Sequence, residues 1–153
     1  MKRYDEIENT VFQFLEKNCF GIQKKDACRH LLGVSTLCLQ LSRKFDLDPE
    51  LCAIMGLLHD ISIYTRRSRL AHAFVSSEMA KEILTSSQLF SDEETALIIT
   101  AIFNHSSKHR KDDAYSELLK LCDVLERYLH EPDIALEPCR QQYLLLAKEK
   151  KII

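Results

Sequence analysis

An adjacent histidine and aspartate, His59 and Asp60, follow an apolar stretch at residues 51–58 (LCAIMGLL). A stretch this apolar predicts a buried helix, and an ionised aspartate is rarely buried unless it is paired or bound to a metal ion. His59 follows Met55 by four positions and Cys52 by seven, so it falls on an inward face of that helix. An imidazole beside a carboxylate at the end of a core helix therefore indicates a metal site.

Three more histidines fall on apolar faces of other predicted helices, namely His30, His72 and His105. A carboxylate, Asp123, flanks the apolar stripe of a further helix. One histidine on an apolar face is more often a hydrogen-bonded core residue than a ligand, whereas four on separate faces beside a vicinal aspartate favour a metal site. Imidazole and carboxylate without thiolate favour Fe, Mn, Zn or Ni. Six such ligands are enough for two divalent ions about 3.5–4 Å apart, with Asp60 able to bridge them.

Helices must position these side chains. With only three glycines and three prolines, the chain has few places for tight turns, which favours an all-helical protein. Apolar periodicity, caps and breaks predict helices at about residues 4–18, 26–44, 49–62, 71–85, from 91 onwards, 114–130, and from about 138 to 150. We expect an all-α compact bundle of six to seven helices that forms one domain over residues 1–153.

Composition limits the class of protein. The 153 residues are 46% hydrophobic and 29% charged, which fits one globular domain, and a net charge of −2 gives no bias towards nucleic acid or anionic membrane. The N-terminus has no apolar signal segment, and no stretch reaches the roughly 18 apolar residues of a spanning helix, so we expect a cytoplasmic protein without membrane contact. The six cysteines form no CxxC pair, and we expect reduced thiols rather than disulfides.

The order His30, His59-Asp60, Asp123 resembles that of the HD superfamily of metal-dependent phosphohydrolases, which is named for its His-Asp pair. The segments RHLLGV (29–34), AIMGLLHDI (53–61) and SELLKLCDVLER (116–127) resemble three motifs of that family. Two more segments, LAHAFVSSEMAKEIL (70–84) and IITAIFNHSS (98–107), resemble those that supply extra histidines in its dinuclear subset. The resemblance covers about residues 25–131 and implies the HD-domain fold.

The resemblance also implies a set of metal ligands. The first ion would be held by His30, His59, Asp60 and Asp123. The second would be held by His72, His105 and the bridging Asp60. We expect two divalent ions, with Fe or Mn favoured and Zn, Ni, Co or Mg also compatible. A metal-activated hydroxide would attack the phosphate ester, and Asp60 and Asp123 would be catalytic residues as well as ligands.

One departure from the family concerns the third residue after the pair. Many members continue as His-Asp-Ile-Gly-Lys, whereas Ile63 stands here in place of the lysine that assists phosphate binding. Basic residues elsewhere would then bind the substrate phosphate. The candidates are Arg29, which precedes a ligand, Arg66, Arg67 and Arg69 in the loop after the pair, and Lys108 after His105.

The resemblance to the HD superfamily leaves several functions open. The first is a phosphohydrolase that acts on a nucleotide or related small phosphate ester, with dinucleoside polyphosphates as one candidate substrate. A second is a mononuclear nucleoside 5′-monophosphatase in which His72 and His105 are structural. A third is a mixed-valence di-iron oxygenase, and a fourth is a non-catalytic HD module for signalling or binding. The sequence contains no base-recognition or nucleic-acid signature, and the oligomeric state stays open.

Overall fold

The protein is an all-α bundle, as predicted. A computed structural model describes residues 1–66 and 70–153. In these ranges the helices are α1 (Lys2–Asn18), α2 (Gly21–Ser42), a 3-10 turn (Arg43–Phe45), α3 (Pro49–Leu58), α4 (Ile61–Arg66), α5 (His72–Ser87), α6 (Asp92–Asn104), α7 (Ala114–His130) and α8 (Pro138–Glu149). None of the helices in these ranges is long and apolar enough to cross a bilayer. All six cysteines are unpaired.

The two central helices, α2 and α3, pack closely because of Gly56. A Cβ atom added at Gly56 would lie 2.8 Å from the Cα of Ser35 on α2 and 2.9 Å from its backbone nitrogen. The Ser35 hydroxyl donates to the carbonyl of Ala53, 2.8 Å away, across the same contact. This close approach brings the histidine of α2, His30, near the histidine that ends α3, His59.

Helix α3 has the buried, apolar character that its sequence predicts. Every residue from Leu51 to Leu58 is buried. At its start, the carboxylate of Asp48 accepts from the backbone N–H of Leu51 at 2.9 Å, and Pro49 occupies the first helical position. Because the His-Asp pair directly follows this buried helix, both of its residues lie in the interior of the bundle.

The predicted helix at residues 49–62 is in fact two helices. Helix α3 ends at Leu58, and α4 begins at Ile61 after the His-Asp pair. The cause is local, because Nδ1 of His59 lies 2.7 Å from the carbonyl of Gly56 and competes with the helical hydrogen-bond ladder there. The break turns Asp60 into the interior, where it is 2% exposed.

Two other boundaries bear on the site. Helix α2 begins at Gly21 rather than near residue 26, because the φ of 59° at Gly21 lets the chain turn within a short connection. Helix α6 begins with the predicted capping box, in which Ser91 and Glu94 exchange side-chain and backbone hydrogen bonds. The long helices α2, α6 and α7 then pack around α3.

Candidate metal centre

Six side chains from separate parts of the chain meet inside the bundle. His30 lies within α2, His59 and Asp60 lie between α3 and α4, and His72 is the first residue of α5. His105 directly follows α6, and Asp123 lies in the middle of α7. All six are the residues expected from the sequence to be ligands.

These side chains form two groups whose possible ligand atoms lie within 4.8 Å of one another. The first group consists of His30, His59, Asp60 and Asp123, all of them buried. The second group consists of Asp60, His72 and His105. Asp60 is common to both groups.

Asp60 directs one carboxylate oxygen to each group. Its Oδ2 lies 3.5 Å from Nε2 of His30 and 3.5 Å from Nε2 of His59. Its Oδ1 lies 3.5 Å from Nε2 of His72 and 3.1 Å from Nε2 of His105. A carboxylate in this arrangement can bridge two cations, one on each side.

The outer nitrogens of three imidazoles are held by the protein. Nδ1–H of His59 donates to the carbonyl of Gly56, and Nδ1–H of His105 donates to the carbonyl of Ile102 at 2.6 Å. The outer nitrogen of His30 lies 2.5 Å from Oε2 of Glu126. A carbonyl only accepts hydrogen bonds, so the Nε2 atoms of His59 and His105 present lone pairs to the interior.

The donor atoms of the first group fit a cation. Nε2 of His30 and Nε2 of His59 are 3.2 Å apart, and Oδ1 of Asp123 lies 3.5 Å and 3.8 Å from them. This oxygen of Asp123 is buried and has no hydrogen-bond partner in the described part of the chain. A lone pair of His59 beside an unpartnered buried carboxylate oxygen is an environment that a divalent ion stabilises, and His30 would join it once its proton leaves.

The second oxygen of Asp123 is held by Lys108. The ammonium of Lys108 donates to Oδ2 of Asp123 at 2.6 Å and to the carbonyl of His105 at 2.9 Å. Lys108 is 3% exposed, so this ion pair is buried. The structure thus places the Lys108 ammonium against Asp123, a candidate ligand of the first group, and the predicted contact of Lys108 with a substrate phosphate stays a prediction.

The electrostatics of the metal-free site follow from burial and charge. Burial raises the pKa of Asp60. The opposite effect of the neighbouring imidazoles is larger and holds this pKa well below its ordinary value; these imidazoles belong to His59, His105 and His30. Burial also raises the pKa of Asp123, and Lys108 leads the charges that hold it well below the ordinary value. For His30, burial lowers the pKa, but its carboxylate neighbours raise it to about 9. Both aspartates are therefore ionised at neutral pH.

The predicted phosphate-binding arginines are placed differently. Arg29 lines a cavity of about 390 Å³ that is also lined by His30. Arg66 lines a separate cavity, together with Glu6 and Glu82. The other two, Arg67 and Arg69, lie outside the described residues.

Three polar residues beside the first group were not predicted from the sequence. Glu126, Arg127 and His130 lie on the last turns of α7 and line the same cavity as His30. Glu126 follows Asp123 by three positions, which places both on one face of a helix, and this spacing is the signal that could have identified it. Glu126 is 3% exposed, although a glutamate is seldom buried without a partner.

Known proteins resemble this chain over the same segment. A family model described as HD domain matches residues 28–128. A curated protein, Ribonuclease Y from Chlorobium luteolum, is 27% identical over 105 residues, which are 69% of this chain and 18% of that protein. The chain therefore spans less than a fifth of the length of the curated relative that it matches. No solved structure matches the chain.

Proposed function

The chain belongs to the HD domain family, and from this premise we propose that it is a phosphohydrolase with a dinuclear metal centre that acts on a nucleotide or related phosphate ester. The family itself is typically one of metal-dependent phosphohydrolases, and HD domains bind divalent metal ions. The observation that carries the dinuclear proposal is Asp60, whose two oxygens face two different groups of histidines.

In this proposal, the first ion is held by His30, His59, Asp60 and Asp123, and the second by Asp60, His72 and His105. Imidazole and carboxylate donors without thiolate suit Fe or Mn, with Zn, Ni, Co and Mg as alternatives. Divalent ions bound there would lower the pKa of a coordinated water towards about 7 and neutralise charge that develops on the phosphoryl oxygens.

The side chains of the site have further tasks besides ligation. Asp60 and Asp123 are ionised, so either carboxylate can accept a hydrogen bond from the attacking water and orient it. Burial of both residues keeps bulk water from competing for these contacts. These are the residues that we propose as catalytic.

The cavity beside His30 supports a small organic phosphate as substrate. Its volume of about 390 Å³ lies within the usual range for small-molecule sites. Ile63, Tyr64 and Ile134 supply apolar and aromatic walls, which suit the base or another organic part of the leaving group. Arg29 lines the same cavity and is the predicted donor to a phosphate.

A mononuclear enzyme is the second candidate, and one observation favours it. The side chain of His72 is 25% exposed, whereas those of His30, His59 and His105 are at most 5% exposed. Water reaches this half-buried imidazole more easily and can compete with it for an ion, so we infer that the second group is the weaker of the two. In that case the protein would be a nucleoside 5′-monophosphatase with a single ion.

Metal analysis combined with a substrate panel tests the proposal. We expect protein purified without chelator to contain about two ions per chain. The His72→Ala variant should lose one ion, Asp60→Ala should lose turnover while it stays folded, and the surface variant His109→Ala should behave like the wild type. Turnover would be measured on mononucleotides and dinucleoside polyphosphates with Mn, Fe, Co and Mg.

The alternatives predict different results. A single ion that survives His72→Ala would favour the mononuclear enzyme. Absence of metal, together with thermal stability that EDTA does not change, would contradict the proposal and favour a non-catalytic module.

A further inference from the structure

The cavity-facing end of α7 carries polar atoms without partners. Among the described residues, three buried side-chain atoms lack a hydrogen-bond partner, namely Oδ1 of Asp123, Oε1 of Glu126 and Nε of Arg127. All three belong to one short segment of α7. Buried polar atoms are nearly always hydrogen-bonded in folded proteins, so three of them close together indicate a bound ligand or ion.

Two of these atoms face each other. Nε of Arg127 lies 3.7 Å from Oδ1 of Asp123, which is the oxygen that also faces His30 and His59. This separation is longer than a hydrogen bond. The guanidinium of Arg127 therefore lies next to the first group, and its Nε–H makes no hydrogen bond to the carboxylate of Asp123.

The charge of Arg127 has a further consequence. An arginine side chain stays protonated at every pH of interest, and a fixed positive charge beside a ligand repels a divalent ion. An anion that contacts both the ion and the guanidinium removes this repulsion. The planar fork of arginine donors also matches the oxygens of a phosphoryl group better than an ammonium does.

A second guanidinium lines the same cavity from a different helix. Arg29 of α2 has its Nε 3.9 Å from Oε1 of Glu126, the other unpartnered oxygen, and its side chain is 45% exposed. The carboxylates of Asp26 and Glu131 also line the cavity and repel anions, so an anion must be held by the arginines. Two guanidinium groups suit a doubly charged terminal phosphoryl group better than a singly charged phosphodiester.

We propose that Arg127 binds the phosphoryl group of the substrate beside the first group of ligands, with Arg29 as the second donor, and that the substrate class is a terminal phosphate. This subsite rests on the proposed function, because the ions define where the phosphoryl group lies. Inorganic phosphate, the product of terminal phosphate hydrolysis, binds at the same place.

Binding of inorganic phosphate to the Mn²⁺-loaded protein tests the subsite without turnover. Calorimetry gives the Kd, and broadening of the ³¹P resonance shows whether phosphate lies next to Mn²⁺. Loss of a hydrogen bond to a charged group costs enough to weaken binding by about 10- to 100-fold in Arg127→Ala. Arg127→Lys keeps the positive charge, so its Kd for phosphate should lie between those of Arg127→Ala and the wild type.

The matched control is Arg140→Ala. Arg140 is on α8 with a side chain that is 29% exposed, next to Glu137, and it is not among the residues that line the cavity. Its loss should leave the phosphate Kd unchanged. Metal content and thermal unfolding of each variant report whether the fold and the ions are intact.

Kinetics add a second readout. Arg127→Ala should raise the KM for p-nitrophenyl phosphate, a monoester, more than that for bis(p-nitrophenyl) phosphate, a diester. An equal change for both compounds would overturn the assignment to a terminal phosphate.

The possible failures are distinguishable. If Arg127→Ala keeps its Mn²⁺ and binds phosphate like the wild type, the subsite is wrong and the proposed function stands. If Arg127→Ala loses its Mn²⁺, Arg127 supports the ligands instead, and the subsite is again wrong. If the wild type takes up no Mn²⁺, the proposed function fails and the subsite fails with it.

Discussion

Oε2 of Glu126 lies 2.5 Å from Nδ1 of His30, so a carboxylate on α7 holds the imidazole of α2 by the nitrogen that faces away from His59. Both side chains are buried, with exposures of 3% and 4%. A carboxylate in this position orients the ring and makes the inner nitrogen a stronger ligand. Glu126 therefore connects α7 to α2 through His30, a candidate ligand of the first group.

Glu126→Gln should weaken binding of the first ion. Gln keeps the size and an acceptor oxygen but removes the charge, and loss of such an outer partner typically lowers metal affinity by about 10- to 100-fold. Competition with a chelator measures this change. Glu131→Gln is the control, because Glu131 is an exposed glutamate that lines the same cavity. Equal affinities in the two variants would contradict the prediction.

Lys108→Met should destabilise the metal-free protein more than the metal-loaded one. The substitution leaves the buried carboxylate of Asp123 without its ammonium partner, which costs about 3 kcal/mol in the free energy of unfolding. A bound ion compensates part of this loss because it also neutralises Asp123. Urea unfolding in EDTA and in Mn²⁺ measures both values.

The exposed Lys81 on α5 provides the control for this comparison. Lys81→Met should change neither value by more than about 0.5 kcal/mol, as is usual for surface substitutions. A loss in Lys108→Met that is the same with and without Mn²⁺ would indicate that Asp123 does not bind the ion.

Ion affinity should rise with pH between about 6.5 and 9. The pKa of His30 is raised from 6.5 to about 9, so the metal-free protein is stabilised by this protonation below pH 6.5 and loses the stabilisation as the pH rises through 9. Ligation requires the neutral imidazole, so the incoming ion displaces a proton. Calorimetry in buffers of different ionisation enthalpy counts that proton. A pH-independent affinity over this window would refute the prediction.

The parts of the site that sequence reasoning finds are those in which a polar side chain interrupts an apolar pattern. His59 and Asp60 are conspicuous because eight apolar or small residues precede them. Arg127 and Glu126 fall among other charged residues of α7, where a polar side chain normally faces solvent. Only the packing of α7 against α2 buries Glu126, and that contact is not visible in the periodicity of either helix.

The break between α3 and α4 was missed for a related reason. Periodicity describes which face of a helix is buried, but it does not detect a side chain that competes for a backbone carbonyl. The hydrogen bond from His59 to Gly56 is such a contact. The same bond recurs between His105 and Ile102 at the end of α6, so both candidate ligand histidines lie where a helix stops.

Two glycines, the half-buried Gly33 and the buried Gly56, should respond differently to alanine. At Gly33, an added Cβ would lie 2.8 Å from Cγ of Glu126, whereas at Gly56 it would meet the backbone of Ser35 at the same distance. A flexible side chain can move, and alanine gains up to about 1 kcal/mol of helix propensity over glycine. Gly33→Ala should therefore keep its stability but bind the first ion more weakly, because Glu126 is displaced from His30.

Gly56→Ala should instead lose stability. The backbone of α2 cannot move aside without separating α2 from α3, and overpacking of this kind typically costs about 1–3 kcal/mol. Urea unfolding of the two variants in EDTA, compared with their Mn²⁺ affinities, separates the effects. If Gly33→Ala bound Mn²⁺ like the wild type, the contact between Glu126 and His30 would not control the first ion, and the steric role of Gly33 would be limited to packing.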